Sequence, residues 1–291
     1  MSLVSGDHPS ELAINVPAST GMARSRSPHP HGMSTLSFAR PPLDLIERRS
    51  DTSARHPWEV ARAKAVEDIL TRHRDRFASV LDYGCGDGYT GEHVQNAFSS
   101  AELVGVDAFF TESDCGITER RGRTVERSAD DRQLGTRRFD LILLCDVIEH
   151  VEDDVGLLRT LRDRHMVDGS LMLVTVPAFQ QLFSEHDRFL HHHRRYSLPD
   201  LRRAVADAGL TIVEDGYLFA SLLPARILGK LAERRAAGQS QEHGIGGWNG
   251  GTILTRFLTT ALRLDNAILL AARRFGITLP GLSSWALCKA S

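Results

Sequence analysis

SVLDYGCGDG, residues 79–88, carries a strand, a glycine-rich turn and the start of a helix. A short run of strand-forming residues carries Asp82 near its end, and Gly84, Gly86 and Gly88 follow it, opening the helical stretch GYTGEHVQNAF. Glycines there let the backbone turn sharply and approach a ligand closely, at the carboxyl end of a strand where open α/β sheets bind their ligands. The spacing is G-x-G-x-G with an acid two residues before the first glycine, and not the G-x-G-x-x-G of dinucleotide-binding loops. A carboxylate in that place suits a cationic ligand group better than a pyrophosphate.

Working outward, the runs ELVGVD (102–107), RTVER (123–127), FDLILLCD (139–146), SLMLVTVP (170–177) and LTIVEDGY (210–217) alternate with polar or helical stretches, among them DDVGLLRTLRDRHM and SLPDLRRAVADAG. Apolar strands separated by amphipathic helices predict a doubly wound α/β domain, its parallel sheet covered on both faces. Upstream, HPWEVARAKAVEDILTRHRD (56–75) reads as a helix with Pro57 in its first turn and Trp58, Glu59 and Arg62 near its start. Downstream, two apolar helical stretches at about 221–237 and 252–275 flank the Gly-rich GIGGWNGG. The closing LSSWALCKA (282–290) alternates like a final strand. It is expected to return antiparallel beside LTIVEDGY, making 221–279 a helical insertion or lid. Residues 1–40, rich in Ser, Pro, His and Gly without apolar period, predict a disordered tail, with order starting near Pro41 and one domain over 41–291.

Composition narrows the class. The chain has 291 residues, 42% hydrophobic and 25% charged, as expected of a globular domain and not of collagen, coiled coil or wholesale disorder. Lys+Arg number 35 against 37 Asp+Glu, so no global positive field exists to hold a nucleic-acid backbone. The four cysteines, Cys85, Cys115, Cys145 and Cys288, form no CxxC pair and fit neither a disulfide framework nor a thiolate zinc site. No run approaches the ~20 apolar residues of a membrane span, and no leader pattern opens the chain. The expected location is the cytoplasm.

A second acid, Asp107, ends the next strand, where a carboxylate can accept hydrogen bonds from both hydroxyls of a ribose. Asp82 and Asp107 together point to a nucleoside carrying a positively charged amino-acid tail. Here VLDYGCGDG, LVGVDA, FDLILLCDVIEHVEDD and SLMLVTVP, in that order, resemble the Rossmann-like S-adenosylmethionine-dependent methyltransferases. The resemblance implies S-adenosylmethionine as cofactor, with Asp82 and Gly84 at its amino group, Cys85 and Gly86 in the loop, and Asp107 on the ribose. It also implies Ala108 or Phe109 against the adenine, Ala129 and Asp130 (or Asp131) near the adenine amino group, and Cys145, Asp146 and Val147 lining the cleft. Glu149 and His150 would stand where the methyl emerges, and His150 is the candidate base because an unperturbed imidazole titrates near neutrality. The strings RHPWEVAR, SEHDRFLHHHRRYSLPDL and LPGLSSWALCK resemble one bacterial subgroup of these enzymes. That resemblance places Trp58, Glu149, His186, Asp187, His192, Arg194, Arg195 and Tyr196 around the acceptor, the arginines suiting a phosphate or carboxylate.

The implied reaction is methyl transfer to an oxygen or nitrogen of a small, lipid-linked or glycan-linked molecule. Asp146, Glu149, His150 and His192 also resemble the two acids and two histidines with which small-RNA ribose 2′-O-methyltransferases bind a divalent metal. Against that reading, Asp146 is shorter than glutamate and no basic surface for RNA is evident, so the expected site holds no metal. A glycine loop of this kind also suits a non-catalytic scaffold or a dehydrogenase, but a scaffold has no physical need for Asp82 or Asp107. The apolar insertion, bordered by Arg226, Lys230, Arg234, Arg235, Arg263, Arg273 and Arg274, is a candidate surface for a membrane or a partner protein, beside packing onto the core.

Overall fold

The computed structural model describes residues 55–73, 77–100, 102–120, 123–235, 248 and 250–290. The expected tail at 1–40, the start of order near residue 41 and most of the Gly-rich linker lie outside these described residues.

Helix α1 (Pro57–Thr71) begins where His56 accepts the Trp58 N–H on its ring Nδ1 and Pro57 supplies a pre-set φ in the first turn. Then follow β1 (Ser79–Tyr83), α2 (Tyr89–Phe98), β2 (Glu102–Val106), β3 (Gly116–Arg120), β4 (Arg123–Ser128) and β5 (Phe139–Cys145). The second half holds α3 (Asp154–His165), β6 (Met166–Pro177), α4 (Glu185–Phe189), α5 (Leu198–Asp207) and β7 (Leu210–Leu218). Helices α6 (Leu223–Arg235) and α7 (Thr252–Arg274) precede the last strand, β8 (Ser283–Ala290).

The strands form one sheet in the order β3-β4-β2-β1-β5-β6-β8-β7. Strands β4, β2, β1, β5 and β6 run parallel, and β8 lies antiparallel between β6 and β7. The fold is therefore Rossmann-like, with the expected antiparallel last strand seated beside LTIVEDGY. One strand departs from the expectation. GITER, within one of the polar stretches between the expected strands, pairs antiparallel with β4 as edge strand β3. Its Ile117 is 68% exposed, so no buried face imposed an apolar alternation that the sequence could display.

Side chains alternate across the sheet, and Val80, Leu141, Leu143, Leu173 and Leu287 form one core with α1, α2 and α7. Each such fully buried aliphatic side chain contributes about 1.5–3 kcal/mol relative to exposure. The core grips the sheet so that the carboxyl ends of β1, β2 and β5 emerge together. The order β2-β1-β5 also puts the crossover reversal beside β1, which is where a ligand crevice opens.

Candidate active site

Asp82, the penultimate residue of β1, is 2% exposed, and its Oδ2 accepts the Gly91 N–H at 3.0 Å across the first turn of α2. Burial pushes this carboxyl from 3.8 up to about 7, and the charges of Asp107 and Asp87 add to the shift against Gly91 and Arg62. Among the described residues Oδ1 takes no hydrogen bond, so a ligand cation can meet it. Asp107, just past β2, accepts Gly86 N–H on Oδ2 at 2.9 Å and Phe109 N–H on Oδ1 at 3.0 Å. Its pKa is also raised by burial, and each oxygen keeps lone-pair capacity for a hydroxyl donor.

Between these acids Gly84, with φ +72°, hydrogen-bonds from its N–H to the Val106 carbonyl at 2.7 Å. A Cβ there would lie 2.6 Å from Val147 Cγ2, so this glycine sets how closely the loop at 146–150 can approach. Cys85 and Cys145 are thiols pushed up by burial, Cys145 to about 12, and they line the space as apolar groups and not as nucleophiles. Ala108 is exposed and Phe109 half-buried on the far side of Asp107. Beyond β4, Ala129 is half-buried, and Asp130 caps a tight turn at Asp131–Leu134 while pairing with Arg132 at 2.7 Å. That bond holds the Asp130 carboxyl below the usual range; Asp131 instead accepts the Tyr83 hydroxyl at 3.0 Å.

Helix α1 locks this region, a role that sequence reasoning missed. Arg62 forms an ion pair with Asp146 while its guanidinium sits 4.5 Å over the Trp58 ring. Arg55 pairs with Asp87 at 2.7 Å and covers the Tyr89 ring at 3.9 Å. One helix end thus holds both the glycine loop and the loop after β5. The HPWE string is informative here, since it supplies the cap and presents Arg62, but nothing in it names a partner 84 residues away. Trp58 itself packs on Phe219, with ring centroids 5.9 Å apart.

After β6, Ser184 and Asp187 form a reciprocal capping box for α4. Asp187 is fully buried and receives His192 Nδ1 at 2.9 Å and Arg195 Nε at 2.7 Å, partners that hold it well below the usual carboxylate range against the cost of burial. Arg195 also reaches the Ala178 carbonyl at 3.3 Å, and Arg194 bonds to Asp154 at 3.1 Å and the Glu152 carbonyl at 2.7 Å. Tyr196 donates its hydroxyl to Asp154 at 2.6 Å, and its own pKa is raised by burial and that neighbour. These residues spend their polar groups tying the segment after β6 to the segment after β5. His186 is half-buried beside Asp187, its pKa lowered by burial.

The tie brings His192 over His150, with ring centroids 4.6 Å apart and edge on. Burial pushes His150 down to about 3, helped by the neighbouring histidines, which makes it a weak base at neutral pH. Glu149 is fully buried, and among the described residues neither carboxylate oxygen has a hydrogen-bond partner. Burial and the nearby Asp146 charge raise its pKa well above the usual range.

A family model described as "Methyltransferase domain" matches residues 55–215. The ubiquinone biosynthesis O-methyltransferase of Methylobacterium nodulans is 25% identical over 189 residues, 55% of this chain and 74% of that protein. The protein of the same name from Azorhizobium caulinodans is 30% identical over 139 residues, 41% of this chain and 52% of that one, so the match spans about half of its length. A solved putative sarcosine dimethylglycine methyltransferase from Galdieria sulphuraria aligns over 81% of this chain and 85% of its own at 15% identity, with a TM-score of 0.43.

Proposed function

The chain belongs to the methyltransferase-domain family, and on that premise we propose that it transfers a methyl group from S-adenosylmethionine to a hydroxyl oxygen of a small or lipid-linked molecule. The observation that carries this reading is the pair of buried carboxylates, Asp82 and Asp107, at the ends of neighbouring strands β1 and β2, with the left-handed glycine loop between them. Two acids with raised pKa values and spare acceptor capacity in one crevice are costly to keep unless a cationic, hydroxyl-bearing ligand meets them. S-adenosylmethionine, when bound, supplies an electrophilic methyl on a sulfonium centre. Asp82 holds the amino group, Asp107 holds the ribose hydroxyls, and Val147 packs on Gly84 to close the crevice. Methyl transfer needs no enzyme nucleophile, so positioning is the main task of the surrounding residues. An oxygen acceptor is supported by the names of the two bacterial relatives, which are O-methyltransferases.

Calorimetric titration of S-adenosylhomocysteine into the purified protein and into Asp107→Ala tests the reading. Binding by the wild type that drops at least tenfold in the variant is the expected result. Absence of binding by the wild type would sink it and favour a scaffold.

The lipid-linked part of the reading is supported by α7. Ile253, Phe257, Ala261, Leu264, Ile268 and Phe275 recur three, four or seven residues apart, which puts them on one side of the helix and its C-cap, and Ile253, Phe257 and Phe275 are 87%, 68% and 83% exposed. The opposite face, with Leu262, Asn266, Leu269 and Leu270, is buried. Exposed Arg256, Arg263 and Arg274 fall along one flank of the apolar stripe, the charge that an anionic lipid surface complements. Of the basic residues expected to border this surface, Arg273 is spent on Asp215 and Arg226 on the Leu182 carbonyl, while the side chains of Arg234 and Arg235 lie outside the described residues. Co-sedimentation with phosphatidylglycerol vesicles at low salt, lost in Phe257→Glu, is expected; no sedimentation of the wild type would remove this part.

A further inference from the structure

We propose that the cleft between α2 and strands β3 and β4 is a regulatory binding site for a small phosphate ester with a hydroxyl-bearing body. The cleft holds about 900 Å³, within the roughly 300–1,000 Å³ of small-molecule sites. Its origin is topological. Parallel strands are normally joined by a helix that covers the sheet, but the connection from β2 to β4 contains β3, which pairs in the plane of the sheet. Among the described residues that connection supplies no helix to cover β3 and β4, and the cleft opens there with α2 as one wall. Arg123, Val125 and Arg127, alternate residues of β4, line it beside Glu92 and Asn96 of α2, with Thr118 of β3 paired to Val125.

Arg123 names the ligand's charge. It is half-buried, and its Nη1 and Nη2 donate to Asn96 Oδ1 at 2.9 Å and Ser99 Oγ at 3.3 Å, both neutral acceptors. Among the described residues no carboxylate lies within ion-pairing distance of this guanidinium. Its Nε remains a spare donor, and Asn96, whose oxygen is turned to Arg123, keeps its amide N–H groups beside it. A guanidinium and an amide offering donors together suit the oxygens of a phosphate. The two acids of the lining are already engaged: Glu92 pairs with Arg127 at 2.9 Å, and Asp114 accepts the Thr111 N–H at 2.8 Å and hydroxyl at 2.6 Å.

Arg127 lies four residues from Arg123, roughly 13 Å along the strand, with half-buried Val125 between them. A phosphate ester anchored at Arg123 spans that floor and meets the Thr118 hydroxyl and the Arg127–Glu92 pair, donor and acceptor partners for its own hydroxyls. Arg127 also holds the glycine loop. Its Nη2 donates to the Asp87 carbonyl at 3.2 Å, and a Cβ on Gly88 would lie 2.9 Å from the same nitrogen. An occupant that engages Arg127 therefore bears on the loop assigned to the cofactor, and linkage makes each ligand change the affinity of the other. The existence of the site does not depend on the methyl-transfer reading; its regulatory role does.

The test is calorimetric titration of glucose 6-phosphate into the full-length protein, with inorganic phosphate and glucose titrated separately. S-adenosylhomocysteine affinity is measured on the same samples, with and without saturating glucose 6-phosphate. One glucose 6-phosphate per chain is expected, bound at least tenfold more tightly than inorganic phosphate or glucose. Arg123→Gln should weaken it at least tenfold while S-adenosylhomocysteine affinity stays within twofold. Thr118→Trp, which fills the floor from an exposed edge-strand position, should also abolish it and guards against a folding defect in the first variant. Saturation should shift S-adenosylhomocysteine affinity at least threefold. No glucose 6-phosphate binding by wild type, binding that both variants retain, or equal binding of inorganic phosphate would overturn the site and leave the methyltransferase reading standing. Unchanged S-adenosylhomocysteine affinity at saturation would overturn the regulatory role. Glucose 6-phosphate binding lost in both variants, in a protein that binds no S-adenosylhomocysteine, would keep the site and remove the methyl-transfer reading.

Discussion

Replacing Asp82 with Asn should flatten the pH dependence expected of the wild-type protein's affinity for S-adenosylhomocysteine. Asp82 is 2% exposed, and burial pushes its carboxyl from 3.8 to about 7. Its ionised form is the one that pairs with the ligand's ammonium. If only that form binds, the apparent dissociation constant scales as one plus the ratio of protonated to ionised carboxyl. The ratio is about 10 at about pH 6 and about 0.1 at about pH 8, so affinity rises roughly tenfold across that window, or about 1.4 kcal/mol. Asp82→Asn carries no charge, so its affinity should be weaker than wild type at pH 8 and nearly constant across the window. Stability moves the opposite way. A folded pKa raised above the unfolded value means that the native state holds its proton longer, so stability falls as pH rises toward about 7, by roughly 4 kcal/mol for this shift. Asp82→Asn should therefore approach or exceed wild-type stability in urea at pH 8 and lose that advantage near pH 4, where the wild-type carboxyl is mostly protonated in the folded state and about half protonated in the unfolded one. Calorimetry at three pH values, with urea unfolding alongside, checks both. A wild-type affinity independent of pH, or an Asn variant that keeps the wild-type slope, would refute the reasoning.

Three further changes probe the framework. Gly84→Ala forces a side chain into φ +72° and 2.6 Å from Val147, so S-adenosylhomocysteine binding should fall at least tenfold and unfolding free energy by about 1–3 kcal/mol. Arg62→Ala strands the half-buried Asp146 and unpins α1, and urea denaturation should show a loss of about 1–3 kcal/mol. Tyr196→Phe removes the hydroxyl donated to Asp154 and should cost about 1–2 kcal/mol while cofactor affinity changes less than threefold. A large cofactor effect from Tyr196→Phe would show that the residue does more than position its loop.

The fold was legible wherever a local rule had one outcome. Leu141, Ile142, Leu143 and Leu144 form a continuous apolar run because β5 is covered on both faces, and glycines at 84, 86 and 88 stand where the backbone takes positive φ. Strand β3 escaped because Ile117 faces solvent at an edge, where pairing requires backbone alone. The segment from His186 to Tyr196 was read as surrounding the acceptor, whereas Arg194, Arg195 and Tyr196 bond to acids and carbonyls of the protein itself. Residue type announces what a guanidinium can do; only the folded arrangement shows what it has been given.

The sequence by itself determined the layered α/β architecture, the ligand loop with its two acids and the family, because each rests on spacing within a few residues of one strand end. Tertiary structure alone decided that Arg62 takes Asp146, that Asp187 takes His192, and that Glu149 is buried with no hydrogen-bond donor among the described residues. The physical reason is that desolvation and partner choice act through space. Segments separated by tens of residues set the burial and charge around each group, and no local pattern encodes which of them will meet.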